Sequence, residues 1–134
     1  PRKPALAPII SHAAVCKALQ GTTLDEAWVR IIPYADYPKK LSRQRHEYRG
    51  GFLWTHFGCS GPTAMNVSRW VSDLENYRET FLELDLFPDE STEELTGWLR
   101  TGKGSARNKQ LKNFLQAKFS QRLSEAILGL QGIR

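Results

Sequence analysis

Cysteine, long apolar runs and a charged leader are what this chain has least of, and each shortage excludes a class of protein. Among its 134 residues are two cysteines, Cys16 and Cys59, which form neither a Cys-x-x-Cys pair nor a Cys/His cluster with metal-ligand spacing. We therefore expect no disulfide framework and no metal site, and two isolated thiols are typical of a reduced, cytoplasmic protein. No apolar run approaches the roughly 20 residues of a membrane-spanning helix, and no stretch has the pattern of a secretory leader. A membrane partner is not expected.

An initiating methionine is also missing. The sequence begins at Pro1, its only methionine is Met65, and the opening Pro-Arg-Lys-Pro is typical of a linker between domains. We therefore expect the chain to be part of a longer polypeptide.

Acidic residues are fewer than basic ones, and the formal net charge is +5. Much of the excess lies in residues 39–49, whose basic side chains are Lys39, Lys40, Arg43, Arg45 and Arg49. A basic run can bind nucleic acid or an acidic protein, but blocks of like charge are more often solvated loops. We interpret residues 39–49 as a solvated loop, which disfavours nucleic acid as a partner. A basic interaction module is the alternative.

The first part of the chain has the pattern of an antiparallel sheet. Residues 25–34 and 48–56 are rich in β-branched and aromatic side chains, with a bulge or tight turn predicted at Gly50-Gly51. Residues 80–87 alternate between leucines on one face and acidic residues on the other, which predicts a half-buried strand. The carboxylates of this strand, Glu83 and Asp85, lie on one face, as the two groups of a catalytic acid/base pair would. We interpret them instead as ordinary surface groups.

Beyond Pro88 the pattern takes a helical period. Ser91 and Glu94 have the spacing of a capping box, which predicts the start of a helix. A longer helical stretch is predicted from about Asn108 to Gly132. Its predicted apolar stripe comprises Leu111, Phe114, Leu115, Phe119, Leu123, Ala126, Ile127 and Leu130.

Residues 55–62, Thr-His-Phe-Gly-Cys-Ser-Gly-Pro, hold the candidate functional groups. Glycines let main chain approach a flat ligand, and Ser60 and Pro62 suit the start of a helix, whose free N–H groups receive an anion or a polarised carbonyl. The alternative is a sharp strand-to-helix connection that needs small residues. Cys59 is either a reactive thiol at that helix start or a buried inert one. A hydrolase using Cys59 or Ser60 with His56 lacks a third, orienting group.

This segment resembles the motif G-x-L-x-x-T-H-x-G-x-S-G-P of the aminoacetone-oxidase-like flavoproteins, also called BaiN-like FAD-dependent oxidoreductases. The matching residues are Gly51, Leu53, Thr55, His56, Gly58, Ser60, Gly61 and Pro62. The opening Pro-Ala-Leu-Ala-Pro is similar to the stretch by which such chains leave their nucleotide-binding domain. Lys118-Phe119-Ser120 stands where the family often has Leu-Pro, so the sequence carries no proline that breaks a helix there.

The resemblance implies an inserted middle domain of the α+β class. Residues 1–88 then form an antiparallel β-barrel-like sheet, and residues 89–134 a helical subdomain that is truncated here. The parent is implied to be an FAD-dependent oxidoreductase, in which this domain lids the flavin and shapes the pocket of a small-molecule substrate. The phosphate-binding Gly-x-Gly-x-x-Gly is absent from the chain.

FAD is therefore expected to be held by the FAD-binding domain of the same polypeptide. The chain alone is not expected to be an enzyme or to bind FAD tightly. By the same resemblance His56 is the candidate catalytic residue. The residues implied to face cofactor or substrate are His56, Gly58, Ser60, Gly61 and Pro62.

Overall fold

The computed structural model describes residues 6–33, 47–71, 80–100 and 104–130. The chain divides into two compact units, Pro1–Pro88 and Asp89–Arg134, and each is described by itself.

The first unit is built on a five-stranded antiparallel sheet. Its strands are β1 (Ile9–Ile10), β2 (Thr23–Pro33), β3 (Glu47–Thr55), β4 (Gly58–Ser60) and β5 (Thr80–Asp85), in the spatial order β1-β4-β3-β2-β5. All four pairings are antiparallel. The predicted α+β class with a barrel-like antiparallel sheet is confirmed.

A β-bulge lies where the paired glycines predicted an irregularity. Leu24 pairs with Phe52 and Ala27 pairs with Gly50, so two residues of β2 oppose Gly51 of β3. The extra residue is therefore on β2, while the glycines supply the space opposite it. The bulge bends the sheet at the place where β3 meets the start of the following helix.

The described residues of the first unit also form two helices, α1 (Ala14–Ala18) and α2 (Pro62–Val71). Alternation along β2 and β3 directs every second side chain to one core face, and α2 contributes Ala64 and Val67 to that core. The buried apolar side chains of this unit are Cys16, Leu19, Leu24, Ala27, Val29, Ile31, Ile32, Phe52, Trp54, Cys59, Ala64 and Val67.

The second unit comprises α3 (Thr92–Arg100), α4 (Gly104–Lys118) and α5 (Gln121–Leu130). The capping box is confirmed: the Glu94 N–H donates to Ser91 Oγ over 3.1 Å, and the Ser91 N–H donates to Glu94 Oε2 over 2.7 Å. Residues 101–103 and the predicted stop at Gly132 lie outside the described residues. Among the described residues no helix combines the length and apolarity needed to cross a membrane.

The predicted single helical stretch is wrong at residues 119–120. Ser120 caps α5, since its Oγ accepts the Leu123 N–H over 3.4 Å and its carbonyl accepts the Ser124 N–H over 3.0 Å. The break also resets the helical phase. Leu128 is buried, whereas Leu130, which belongs to the predicted stripe, is 73% exposed.

Candidate functional site

The segment 55–62 forms a β-hairpin that leads into a helix. β3 ends at Thr55, His56 and Phe57 make a two-residue turn, and β4 pairs back so that Thr55 lies opposite Gly58. The alternative, a direct connection from strand to helix, is therefore wrong, because the short turn lets Gly58–Ser60 add to the sheet. β1 covers the outer side of β4, with Ile10 opposite Gly58.

Gly58 is held against the protein's own main chain. Its φ is +148°, and a Cβ added to it would lie 2.1 Å from the Ile9 carbonyl oxygen and 2.7 Å from the Ser11 nitrogen. Only glycine permits β1 to approach this closely. The geometry gives Gly58 a packing role, and its contact with a ligand stays a prediction.

Gly61 also packs on the sheet, and it begins α2. Its φ is +92°, and an added Cβ would lie 3.0 Å from the Gly51 oxygen. The Gly61 carbonyl accepts the Met65 N–H over 3.0 Å, which makes Gly61 the N-cap and Pro62 the first helical residue. The expectation that Ser60 caps this helix is wrong, because Ser60 is part of β4.

Thr63 ties the start of α2 to β3. Its hydroxyl donates to the Gly51 carbonyl over 2.7 Å. The first turn of α2 is thereby fixed on the sheet at the bulge, and the N–H groups of that turn have no partner within the helix. The end of β3, all of β4 and the start of α2 thus form one braced structure.

His56, Ser60 and Pro62 are the predicted site residues that reach the surface. His56 and Pro62 are exposed and Ser60 is partly exposed. The His56 ring meets the Phe57 ring edge to face, with centroids 4.9 Å apart. Two of the five predicted residues, Gly58 and Gly61, therefore pack against backbone. The side chains of the other three are exposed or partly exposed.

Cys59 is inert. It is 2% exposed, and burial, with a smaller effect from Cys16, raises the pKa of its thiol from 9.0 to about 12. A thiol with such a pKa is neutral near pH 7 and is a poor nucleophile. The interpretation as a buried thiol is confirmed, and the reactive alternative is wrong.

Thr55 has an unusual environment that the sequence does not predict. Its Oγ1 is buried and has no hydrogen-bond partner among the described residues. A buried hydroxyl without a hydrogen-bond partner destabilises the folded state. The packing of the surrounding side chains must offset this unfavourable free energy. Nothing in the residue type or its spacing signals this, because the burial comes from the hairpin.

The charged candidates elsewhere have structural partners. Arg49, the one basic residue of the 39–49 segment within the described part of the chain, donates from Nε to Glu26 over 2.8 Å. Glu83 lies 3.2 Å from Arg30, and Asp85 accepts the Phe87 N–H over 3.0 Å. The interpretation of the two carboxylates as surface groups is confirmed. The described residues contain no group of three or more His, Cys, Asp or Glu placed to hold a metal ion.

The chain thus combines a barrel-like antiparallel sheet with a helical unit. In the sheet unit, the hairpin that leads into α2 is fixed on the sheet by its glycines. The chain belongs to the family described as the HI0933-like protein barrel and H2TH domain, whose model matches residues 3–134. It is thus a domain of the HI0933-like flavoproteins, and the family resemblance stated above is confirmed. The link to FAD is a property of that family.

Proposed function

We propose that this chain is the lid domain of an FAD-dependent oxidoreductase. In this role it covers the flavin, which the FAD-binding domain of the same polypeptide holds, and it forms one wall of the pocket for a small-molecule substrate. The observation that carries the proposal is the hairpin itself, which is braced on both sides by main chain and yet presents His56 to the outside.

The residues of the hairpin fit the ring end of a flavin and not its diphosphate. Residues 50–68 contain no Lys or Arg to pair with phosphate, and the chain has no Gly-x-Gly-x-x-Gly. An exposed imidazole and an exposed aromatic ring suit a flat, largely uncharged ring system. When bound, the flavin supplies the hydride chemistry. His56 and the partly exposed hydroxyl of Ser60 orient the neighbouring groups and exclude water.

His56 has the chemistry to hold or transfer a proton at one of its ring nitrogens. Its ring meets the Phe57 ring edge to face, and its side chain is exposed. Since an imidazole ring offers two nitrogens for hydrogen bonds, it can donate to or accept from a polar group of substrate or cofactor.

The proposal is tested by His56→Ala and His56→Gln in the intact flavoprotein. Rapid mixing with substrate or reductant measures the rate of flavin reduction, and far-UV circular dichroism checks the fold. We expect His56→Ala to slow reduction by about tenfold to a hundredfold, and His56→Gln to retain more of the rate if hydrogen bonding is the role. The exposed His12 supplies the control, His12→Ala, which should leave the rate unchanged. Equal rates in the wild type and His56→Ala would contradict the role of this residue, and a native protein without FAD would contradict the whole proposal.

A further inference from the structure

The helical unit separates its charges along the sequence. Its acidic residues lie before Leu95, apart from Glu125, and residues 95–124 contain no Asp or Glu, in a chain of which 25% is charged. The basic residues of this acid-free stretch are Arg100, Lys103, Arg107, Lys109, Lys112, Lys118 and Arg122. A long stretch that carries charge of one sign creates a positive potential, which attracts polyanions.

One side of α4 gathers exposed cations and amides from this stretch. We define the lysine–amide face as the exposed side chains of Lys109, Lys112, Asn113 and Gln116. Neighbouring members are three or four residues apart, a spacing that places side chains on the same side of a helix. Leu115 is 3% exposed and belongs to the opposite, apolar side of α4. The lysine–amide face is therefore directed away from the core of the helical unit.

The positive charge of this face is not neutralised by the protein. Within the part of the chain that the structure describes, no carboxylate lies within ion-pair distance of Lys109 or Lys112. Arg30, Arg49 and Lys118, by contrast, each meet a glutamate. Two lysines three residues apart on a helix repel each other, which disfavours the helix. An external anion would supply the missing counter-charge.

The side chains of the face distinguish among the possible polyanions. Protein interfaces are poor in lysine and rich in aromatic residues, and the face has lysines and no aromatic residue, which disfavours an acidic protein. A membrane-surface helix needs exposed apolar side chains beside its cations. On α4, however, Leu115 is buried, and the Lys118 ammonium lies over the Phe114 ring, 5.5 Å from its centroid.

The same side chains distinguish between single-stranded and duplex nucleic acid. Proteins that bind single strands stack the bases on aromatic rings, which the lysine–amide face lacks. The backbone of a duplex is contacted instead by lysine together with asparagine and glutamine, the side chains found here. The face therefore fits the phosphates of a duplex best.

We propose that the lysine–amide face of α4 binds the phosphate backbone of a nucleic-acid duplex without reading its sequence. Lys109 and Lys112 pair with phosphates, and the amides of Asn113 and Gln116 donate hydrogen bonds to phosphate or sugar oxygens. Residues 39–49, the basic run weighed above as an alternative, are not part of this face. The inference is independent of the proposed flavin role, which concerns the sheet unit.

Fluorescence anisotropy of a labelled DNA duplex, titrated with the intact protein over a series of salt concentrations, tests this binding. We expect the logarithm of the association constant to fall linearly with the logarithm of salt concentration, with a slope of about −2 or steeper. Lys109→Gln and Lys112→Gln should each reduce the magnitude of the slope by about 1.

Lys17→Gln is the matched control, because Lys17 is an exposed lysine on a helix of the sheet unit, and it should leave the slope unchanged. Far-UV circular dichroism checks that the variants keep their helices. Slopes that are equal in the wild type and in both α4 variants overturn the inference, as does the absence of duplex binding at low salt.

Other probes test the choice of partner. A single strand of the same length, vesicles of anionic phospholipid and polyglutamate are compared with the duplex, and tighter binding to any of them overturns the assignment. Lys39→Gln combined with Lys40→Gln tests the other basic run of the chain. If that variant reduces the slope while the α4 variants do not, residues 39–49 bind the duplex and the lysine–amide face does not.

Discussion

The strand-rich unit and the helical unit are stabilised by contacts of very different range. In the first, glycine backbones and one threonine join segments distant in sequence, as where Gly58 lies against Ile9 and Thr63 bonds Gly51. In the second, short-range caps begin the helices, as where Ser91 meets Glu94 and Ser120 meets Leu123. The first unit is therefore sensitive at single positions where main chain meets main chain. The second should tolerate most changes outside its caps and its buried side chains.

The same difference separates the proposed functional surface from the residues that support it. The hairpin can present His56 and Phe57 because Gly58 and Gly61 beneath them are packed on the sheet. A sequence motif that joins these residues thus contains two kinds of position, those that support and those that are exposed. Substitutions can tell the two kinds apart.

Gly58→Ala should have the largest effect. The added methyl would lie 2.1 Å from the Ile9 oxygen, which belongs to backbone and cannot turn aside. We expect a loss of about 3 kcal/mol or more in the free energy of unfolding, measured by urea denaturation followed through tryptophan fluorescence.

Its matched control lies in the helical unit. Gly129 is a glycine of α5 with nothing within 4 Å of an added Cβ, so Gly129→Ala should leave stability unchanged or raise it by up to about 1 kcal/mol. Similar losses in both variants would show that the contrast between the two units is mistaken.

Two threonines of the first unit sharpen the contrast further. Thr63→Val removes the hydroxyl that donates to the Gly51 carbonyl over 2.7 Å, and we expect a loss of about 1–3 kcal/mol in the free energy of unfolding. Thr55→Val replaces a buried hydroxyl without a partner by a methyl group, so it should be nearly neutral or stabilising by about 1 kcal/mol. Thermal denaturation of both variants measures the difference. A larger loss for Thr55→Val than for Thr63→Val would reverse the assignment of partners.

The sequence predicted best what local chemistry decides. The capping box at Ser91 and the half-buried strand within residues 80–87 follow from spacing within a few residues, and both are confirmed. The site role of residues 55–62 stays a prediction, although their glycines and proline single them out in the sequence.

What the sequence did not predict depends on distant partners. β4 exists because β1 and β3 lie on either side of it, and the packing role of Gly58 depends on Ile9, some fifty residues away in sequence. The helix break at Ser120 is a different case. Serine is a favoured N-cap, so a signal was present, but the apolar stripe continued through it and favoured one long helix.

Ser120→Ala tests this local signal. Loss of the hydroxyl that accepts the Leu123 N–H should destabilise the start of α5 by about 1 kcal/mol. Amide hydrogen exchange, resolved by residue, should show faster exchange at the start of α5 and unchanged exchange in the sheet. Faster exchange throughout the first unit would mean that the effect of this cap is not local.

The smallest expected effect is a dependence of the helical unit on pH. Hydrogen bonds from the Ser91 backbone and side chain lower the pKa of the Glu94 carboxyl below its ordinary value of 4.5. Because the folded-state pKa is the lower one, the ionised carboxylate stabilises α3 above pH 4.5, and this contribution is lost as the pH falls through the folded-state pKa.

The amides at the start of α3 should therefore exchange faster in Glu94→Gln than in the wild type at pH 7, and the two exchange rates should converge as the pH falls through the folded-state pKa of Glu94. The control is Glu93→Gln, which alters a neighbouring exposed carboxylate for which no bond to Ser91 is found. Since Glu94 is fully exposed, its effect is confined to the first turn of α3 and should leave the sheet unit unchanged. A difference between wild type and Glu94→Gln that stays the same as the pH is lowered would show that the side-chain geometry of Glu94, and not its charge, starts this helix.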